Sequence, residues 1–193
     1  MNITLIGNCQ TKTLTWYLQQ INPDFNVKWV FPDWLGPNHG QNWANPGSFI
    51  GKSIPTVLGV KDFTKRLKTS SFVIYQHLSP ALSENLNWKK ITSYNPKCNF
   101  ISISSFVYNP KDATKRELKG MIDRANKFNI DIPAHKIIEK HGSKITIDGC
   151  KNHAHPHVFY FLELVREICA KTGWDYYSEE QYNQYLKEGY PFG

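Results

Sequence analysis

The stretch that decides the reading of this chain is Asn2-Ile3-Thr4-Leu5-Ile6 followed at once by Gly7-Asn8-Cys9-Gln10. A short apolar run of this kind, bounded by a glycine turn, reads as a buried β-strand, and the residues beyond it predict a helix over Thr11–Ile21, with Leu14, Leu18 and Ile21 at helical spacing and Asn22-Pro23 as the stop. In an open α/β sheet, ligands and catalytic groups gather at the carboxyl end of the strands. Cys9 stands at such an end, where helix N-terminal amides and the helix dipole favour a thiolate. Gly7 is expected to permit the sharp turn, and Asn8 and Gln10 to flank the sulfur with amide donors. The alternative is a tight strand-to-helix turn that holds a structural cysteine.

Working outward, Val27–Phe31, Ser71–Gln76, Asn99–Ser104 and Lys144–Ile147 read as four further strands. Helices are expected around Val60–Leu67, from Ser79-Pro80 towards Lys89, and over Lys111–Phe128, Pro133–His141 and Pro156–Thr172, the last closed by Gly173. Strands alternating with helices predict an α/β fold with a mainly parallel sheet of about five strands, covered on both faces. The whole chain, 1–193, is read as a single α/β domain, large enough for a substantial core. One segment interrupts the alternation, the Gly/Pro/Trp-rich loop at 32–55, in which Trp34 and Trp43 can stack on an adenine or a sugar ring.

Lys and Arg outnumber Asp and Glu by 23 to 16, a formal charge of +7, which favours an anionic ligand over a cationic one. The charge is spread along the chain with no arginine-rich arm, so no specific nucleic-acid partner is expected. The four cysteines, Cys9, Cys98, Cys150 and Cys169, form no Cys-x-x-Cys pair and are read as reduced. The first apolar run lacks the flanks of a signal peptide, and no stretch approaches the length of a membrane span, so a cytoplasmic location is expected. No Walker A or Gly-x-Gly-x-x-Gly sequence is present, which argues against the common nucleoside-triphosphate and dinucleotide sites.

A second informative stretch is Cys150-Lys151-Asn152-His153-Ala154-His155-Pro156-His157. In a parallel sheet this loop can fold back beside the loop carrying Cys9, so that cysteine and histidine serve as nucleophile and base. His155 is the expected base, because Pro156 fits a first helical turn and would fix its direction, and Asn152 is placed to orient the imidazole. Two other readings stay open for this octapeptide. Cys150, His153, His155 and His157 are zinc-type ligands, although their spacing matches no common zinc template and no metal is expected. The histidines can equally cap and solvate a helix start. Gln76, at the end of its strand, can donate to an oxyanion or a substrate carbonyl.

Together, the Gly7-Asn8-Cys9-Gln10 opening, Gln76 after an apolar strand, the Phe106–Asp112 segment and the late Asn152-His153-Ala154-His155-Pro156 element resemble the WcbI-like polysaccharide-biosynthesis acetyltransferases. That family is related in architecture to the SGNH/GDSL hydrolases, with Cys9 in place of their serine, and Asn152 and His155 where they use an Asp-x-x-His pair. The resemblance implies a three-layer α/β/α sandwich, SGNH-hydrolase-like, that takes coenzyme A or acetyl-coenzyme A as substrate. It also implies acetyl transfer to a carbohydrate hydroxyl. Cys9 and His155 would be catalytic; Gly7, Asn8, Gln10, Gln76 and Asn152 would position groups or stabilise an oxyanion. Lys12, Trp34, Trp43 and His153 would contact the cofactor. The family's tighter Asn-His-Pro is spread out here, which leaves His153 and His155 both open as the base. A thioesterase or esterase with water as acceptor is the alternative, as is a non-catalytic module that binds coenzyme A, a nucleotide or an anionic glycan.

Overall fold

The computed structural model describes residues 1–30, 60–77, 88–106, 115–145 and 156–189. The chain divides into two compact units, Met1–Ser102 and Ile103–Gly193. The first unit holds β1 (Asn2–Ile6), α1 (Cys9–Ile21), β2 (Asn26–Val30), α2 (Val60–Thr69), β3 (Phe72–His77) and α3 (Trp88–Tyr94), with β4 (Asn99–Ser104) at its end. The second holds α4 (Lys115–Phe128), α5 (Ala134–His141), α6 (Val158–Thr172) and α7 (Glu179–Glu188). None of the helices among the described residues is long and apolar enough to cross a membrane.

The described strands form a four-stranded sheet in the order β2-β1-β3-β4. β1 pairs in parallel with β2 (Ile6 opposite Val30) and with β3 (Ile6 opposite Tyr75), so the first strand is internal. The chain therefore steps from β1 to one side, then returns to the other. Because side chains alternate along a strand, Thr4 and Ile6 face one way with Val30, Val73 and Tyr75, and Phe63, Leu67 and Ile91 of α2 and α3 pack on that side. Ile3 and Leu5 face the opposite way, and α1 packs against β1 and β2. This makes an α/β sandwich of the first unit.

At the amino edge of the sheet Arg66 of α2 ties three segments together. Its guanidinium donates to Thr4 Oγ1 (3.2 Å), Asn2 Oδ1 (3.0 Å), the Ile3 carbonyl (3.1 Å) and the Asn26 carbonyl. Four acceptors around one cation suit the five donors of the arginine fork, which exceed the three of a lysine.

In the second unit Ile103 forms a parallel bridge with Ile132, and α6 is the buried helix, with Val158 to Val165 all inaccessible or nearly so. Glu163 is carried inside with it, 2% exposed; it is paired with Arg166 (2.8 Å), accepts from the Tyr182 hydroxyl, and lies 3.2 Å from His141 Nε2. A buried carboxylate is tolerable only with such partners. Tyr182 belongs to α7, a helix with no buried residue, whose start is a capping box between Ser178 and Gln181.

Several expectations change. α1 begins at Cys9, not Thr11, because the Asn8 side chain accepts the Gln10 N–H and starts the helix early. Gly7 is needed for a reason other than backbone freedom. Among the described glycines only Gly173 and Gly189 have positive φ, whereas a Cβ on Gly7 would lie 2.5 Å from Thr11 Cγ2 and 2.6 Å from Gln76 Oε1. Lys144 closes a 3₁₀ turn over Gly142–Lys144 instead of opening a fifth strand; residues 146 and 147 lie outside the described residues. Pro156 precedes α6 rather than sitting in its first turn: the helix begins at Val158, and His157 is its cap, Nδ1 accepting the Phe159 N–H at 3.3 Å. That last helix is also not the final one, since α7 follows Gly173. The loop at 32–55 and the helix start at Ser79-Pro80 lie outside the described residues.

Candidate functional site

The carboxyl end of β1 is where the chain leaves the sheet between two flanking strands, the topological switch point of an open parallel sheet. Gly7 continues the pairing, its N–H donating to the Val30 carbonyl (3.1 Å). Asn8 then caps α1: Oδ1 accepts the Gln10 N–H (2.9 Å), and its carbonyl accepts the Thr11 N–H (3.0 Å), the Lys12 N–H (3.3 Å) and the Thr11 hydroxyl (2.6 Å). Three of the first-turn amides are satisfied in this way, and Cys9 is the first helical residue.

Gln76 approaches from β3. It is 1% exposed; its Oε1 accepts the Asn8 N–H (2.9 Å) and its Nε2 donates to Gln10 Oε1 (3.0 Å). The close approach of Gln76 to Gly7 is what excludes a side chain at position 7. Both ends of the Gln76 carboxamide are thus engaged with the turn around Cys9. From the other side comes Trp29 of β2, whose Nε1 donates to the Gly7 carbonyl (3.0 Å) and to Thr11 Oγ1 (2.9 Å). Lys12 places its ammonium 5.6 Å from the Trp29 ring centroid, a cation–π contact.

The residues expected to act together therefore fall into two groups. Gly7, Asn8, Gln10 and Gln76 meet in one hydrogen-bonded cluster around the start of α1, with Lys12 one turn further along. His155, Asn152, His153, Trp34 and Trp43 lie outside the described residues. His157, one of the zinc-type ligands of the late octapeptide, has its Nδ1 on the Phe159 N–H, in keeping with the capping alternative.

Trp29 and Thr11 were not singled out from the sequence. The only available signal was the period-two pattern of β2, which sets Trp29 on the same face as Val27, the face that α1 covers. At the end of β3, His77 stacks edge-on against Tyr75 (5.4 Å), and burial holds its imidazole below the ordinary histidine value. Cys98 and Cys169 have a different character from a thiol at a helix start. Burial pushes their thiols up to about 11 and about 12 respectively, which disfavours the thiolate.

No protein-family model matches the chain, and no curated protein matches it.

Proposed function

We propose that this protein is a coenzyme A-dependent acetyltransferase that acts on a sugar or polysaccharide hydroxyl, with Cys9 as nucleophile and His155 as base. The observation that supports this reading best is the place of Cys9, the first residue of α1 at the carboxyl end of the internal strand β1, at the switch point of the sheet. A thiol there lies within the field of the helix N-terminus, which favours the thiolate.

In this reading the Cys9 thiolate attacks the acetyl carbonyl of acetyl-coenzyme A. The carbonyl electron pair moves to oxygen, then returns as the coenzyme A thiolate leaves and takes up the proton of the His155 imidazolium, which leaves His155 neutral for the next step. The acetyl group is now a thioester on Cys9. An acceptor hydroxyl attacks it, His155 takes the hydroxyl proton, and the Cys9 thiolate departs as leaving group. The Gln10 N–H is committed to Asn8 Oδ1 and the Gln76 carboxamide to the turn, so oxyanion stabilisation falls to the Cys9 backbone N–H and the Asn8 side-chain NH2. Gln76 then acts as a positioning residue. Asn152 orients the imidazole, and Lys12, His153, Trp34 and Trp43 hold the phosphates and adenine of coenzyme A.

The test is calorimetric titration with coenzyme A and acetyl-coenzyme A, beside Cys9→Ala, with intact mass recorded after the acetyl donor is added. Micromolar-range binding and an acetyl adduct absent from the variant are the expected result. Release of free acetate without a sugar acceptor would make the protein a hydrolase. Binding of coenzyme A with no adduct and no turnover would make it a binding module.

A further inference from the structure

The Gly7–Asn8 peptide unit is held at both ends. Its carbonyl accepts from Trp29 Nε1 on β2 (3.0 Å), and its N–H donates to Gln76 Oε1 on β3 (2.9 Å). A trans peptide points its C=O and N–H in opposite directions, and no described peptide bond is cis. The two strands that flank β1 therefore grip opposite edges of one rigid plane. The next peptide, Asn8–Cys9, is fixed in turn, because its carbonyl accepts from the Thr11 hydroxyl (2.6 Å), which itself accepts from the same indole N–H (2.9 Å). With that carbonyl aimed along the helix, the Cys9 N–H is aimed out of the helix N-terminus. Trp29 is 5% exposed and Thr11 fully buried, so neither contact competes with bulk water.

We propose that Trp29 is a positioning residue for Cys9: through its indole N–H on the Gly7 carbonyl and the Thr11 hydroxyl, it fixes the two peptides that set the direction of the Cys9 amide and the start of α1. This inference rests on the reading of Cys9 as nucleophile. Gln76 alone would hold the Gly7–Asn8 plane by one edge only. The indole supplies the second constraint, and Thr11 carries it one peptide further.

The experiment replaces Trp29 by 3-benzothienylalanine, in which sulfur stands in place of the N–H and the ring shape is kept, in a Cys150→Ser background. Thr11→Val is the second variant, with Thr11→Ser as its conservative partner. Two quantities are read: the pH–rate profile of Cys9 alkylation by iodoacetamide, followed by intact mass, and kcat and KM for acetyl transfer. Loss of the N–H is expected to slow alkylation and move its profile to higher pH, and to lower kcat about ten- to hundredfold with KM little changed, the size of a small misplacement of a reacting group. Thr11→Val is expected to follow, and Thr11→Ser to restore parental behaviour. An unchanged alkylation profile and kcat in a variant whose Tm has fallen would overturn the proposal and leave Trp29 a packing residue. If the parent transfers no acetyl group, the acetyltransferase reading fails by itself, and the alkylation profiles still decide the role of Trp29.

Discussion

Gly7→Ala is the sharpest test of how the turn at Cys9 is built. The added methyl would lie 2.5 Å from Thr11 Cγ2, 2.6 Å from Gln76 Oε1 and 2.7 Å from Gln76 Cβ. Carbon–carbon contacts are optimal near 3.5–4.0 Å, so each neighbour must retreat by about 1 Å. Thr11 is fully buried and bonded to Asn8 and Trp29, and Gln76 is bonded to Asn8 and Gln10, so neither can retreat freely. Overpacking of this kind costs about 1–3 kcal/mol. If Gln76 swings away instead, the buried Asn8 N–H loses its acceptor, at a similar cost of about 1–3 kcal/mol. Alanine recovers about 0.4–1 kcal/mol by restricting the unfolded chain. The net expectation is a loss of about 1.3 kcal/mol, or roughly 3–5 °C in Tm for a chain of this size. Denaturant titration with parallel calorimetry measures it. Gly120→Ala is the internal control, since a Cβ there meets nothing within 4 Å inside α4. That variant gains about 0.5–1 kcal/mol from helix propensity. A Gly7→Ala protein within about 0.5 kcal/mol of the parent would refute the steric account of this turn, on the usual scale of neutral surface changes.

Three further outcomes are expected. Arg66→Lys cannot satisfy Thr4, Asn2, Ile3 and Asn26 together, and the loss is about 2 kcal/mol in denaturant titration, the scale of charge-assisted hydrogen bonds. In a Cys9→Ala, Cys150→Ser protein, Cys98 and Cys169 should stay unlabelled by a disulfide reagent at pH 8 and react fully in denaturant. Their thiols are raised to about 11 and about 12 by burial; rapid native labelling of either would contradict this. Burial lowers the His77 pKa below the ordinary histidine value of 6.5. The folded state therefore binds this proton less readily than the unfolded chain. The stability His77 contributes is present above pH 6.5 and is lost as pH falls through its folded pKa. His77→Gln should flatten the acid limb of the stability–pH curve, measured by denaturant midpoints between pH 5 and pH 8.

Much of the local structure was legible from local pattern. β1 and β4 carry short apolar runs that were read to the residue; α1 was found from its apolar spacing and stop signal, α2 and α4 from charged helical stretches, and α5 and α6 as helices, with ends shifted by a few residues. Two of the shifted helix starts share a cause: the expectation rested on a residue type where a hydrogen bond decided. Asn8 moved the start of α1, and His157 displaced Pro156 from α6. α7 has no buried face to produce a periodic signal, although its Ser178-x-x-Gln181 capping box was present to be read.

The sequence by itself determined that a glycine turn, a cysteine and a helix follow the first strand, because strand, turn and helix signals are properties of consecutive residues. Only the tertiary structure decided that this strand lies inside the sheet, between β2 and β3. Strand order is set by which apolar faces bury one another, and no local pattern encodes it. The same holds for the cluster at Cys9. Gln76 lies 68 residues from Asn8, and Trp29 lies 22 from Gly7. They meet there because two parallel strands end on either side of β1, and a buried peptide group must find its partners wherever the fold brings them.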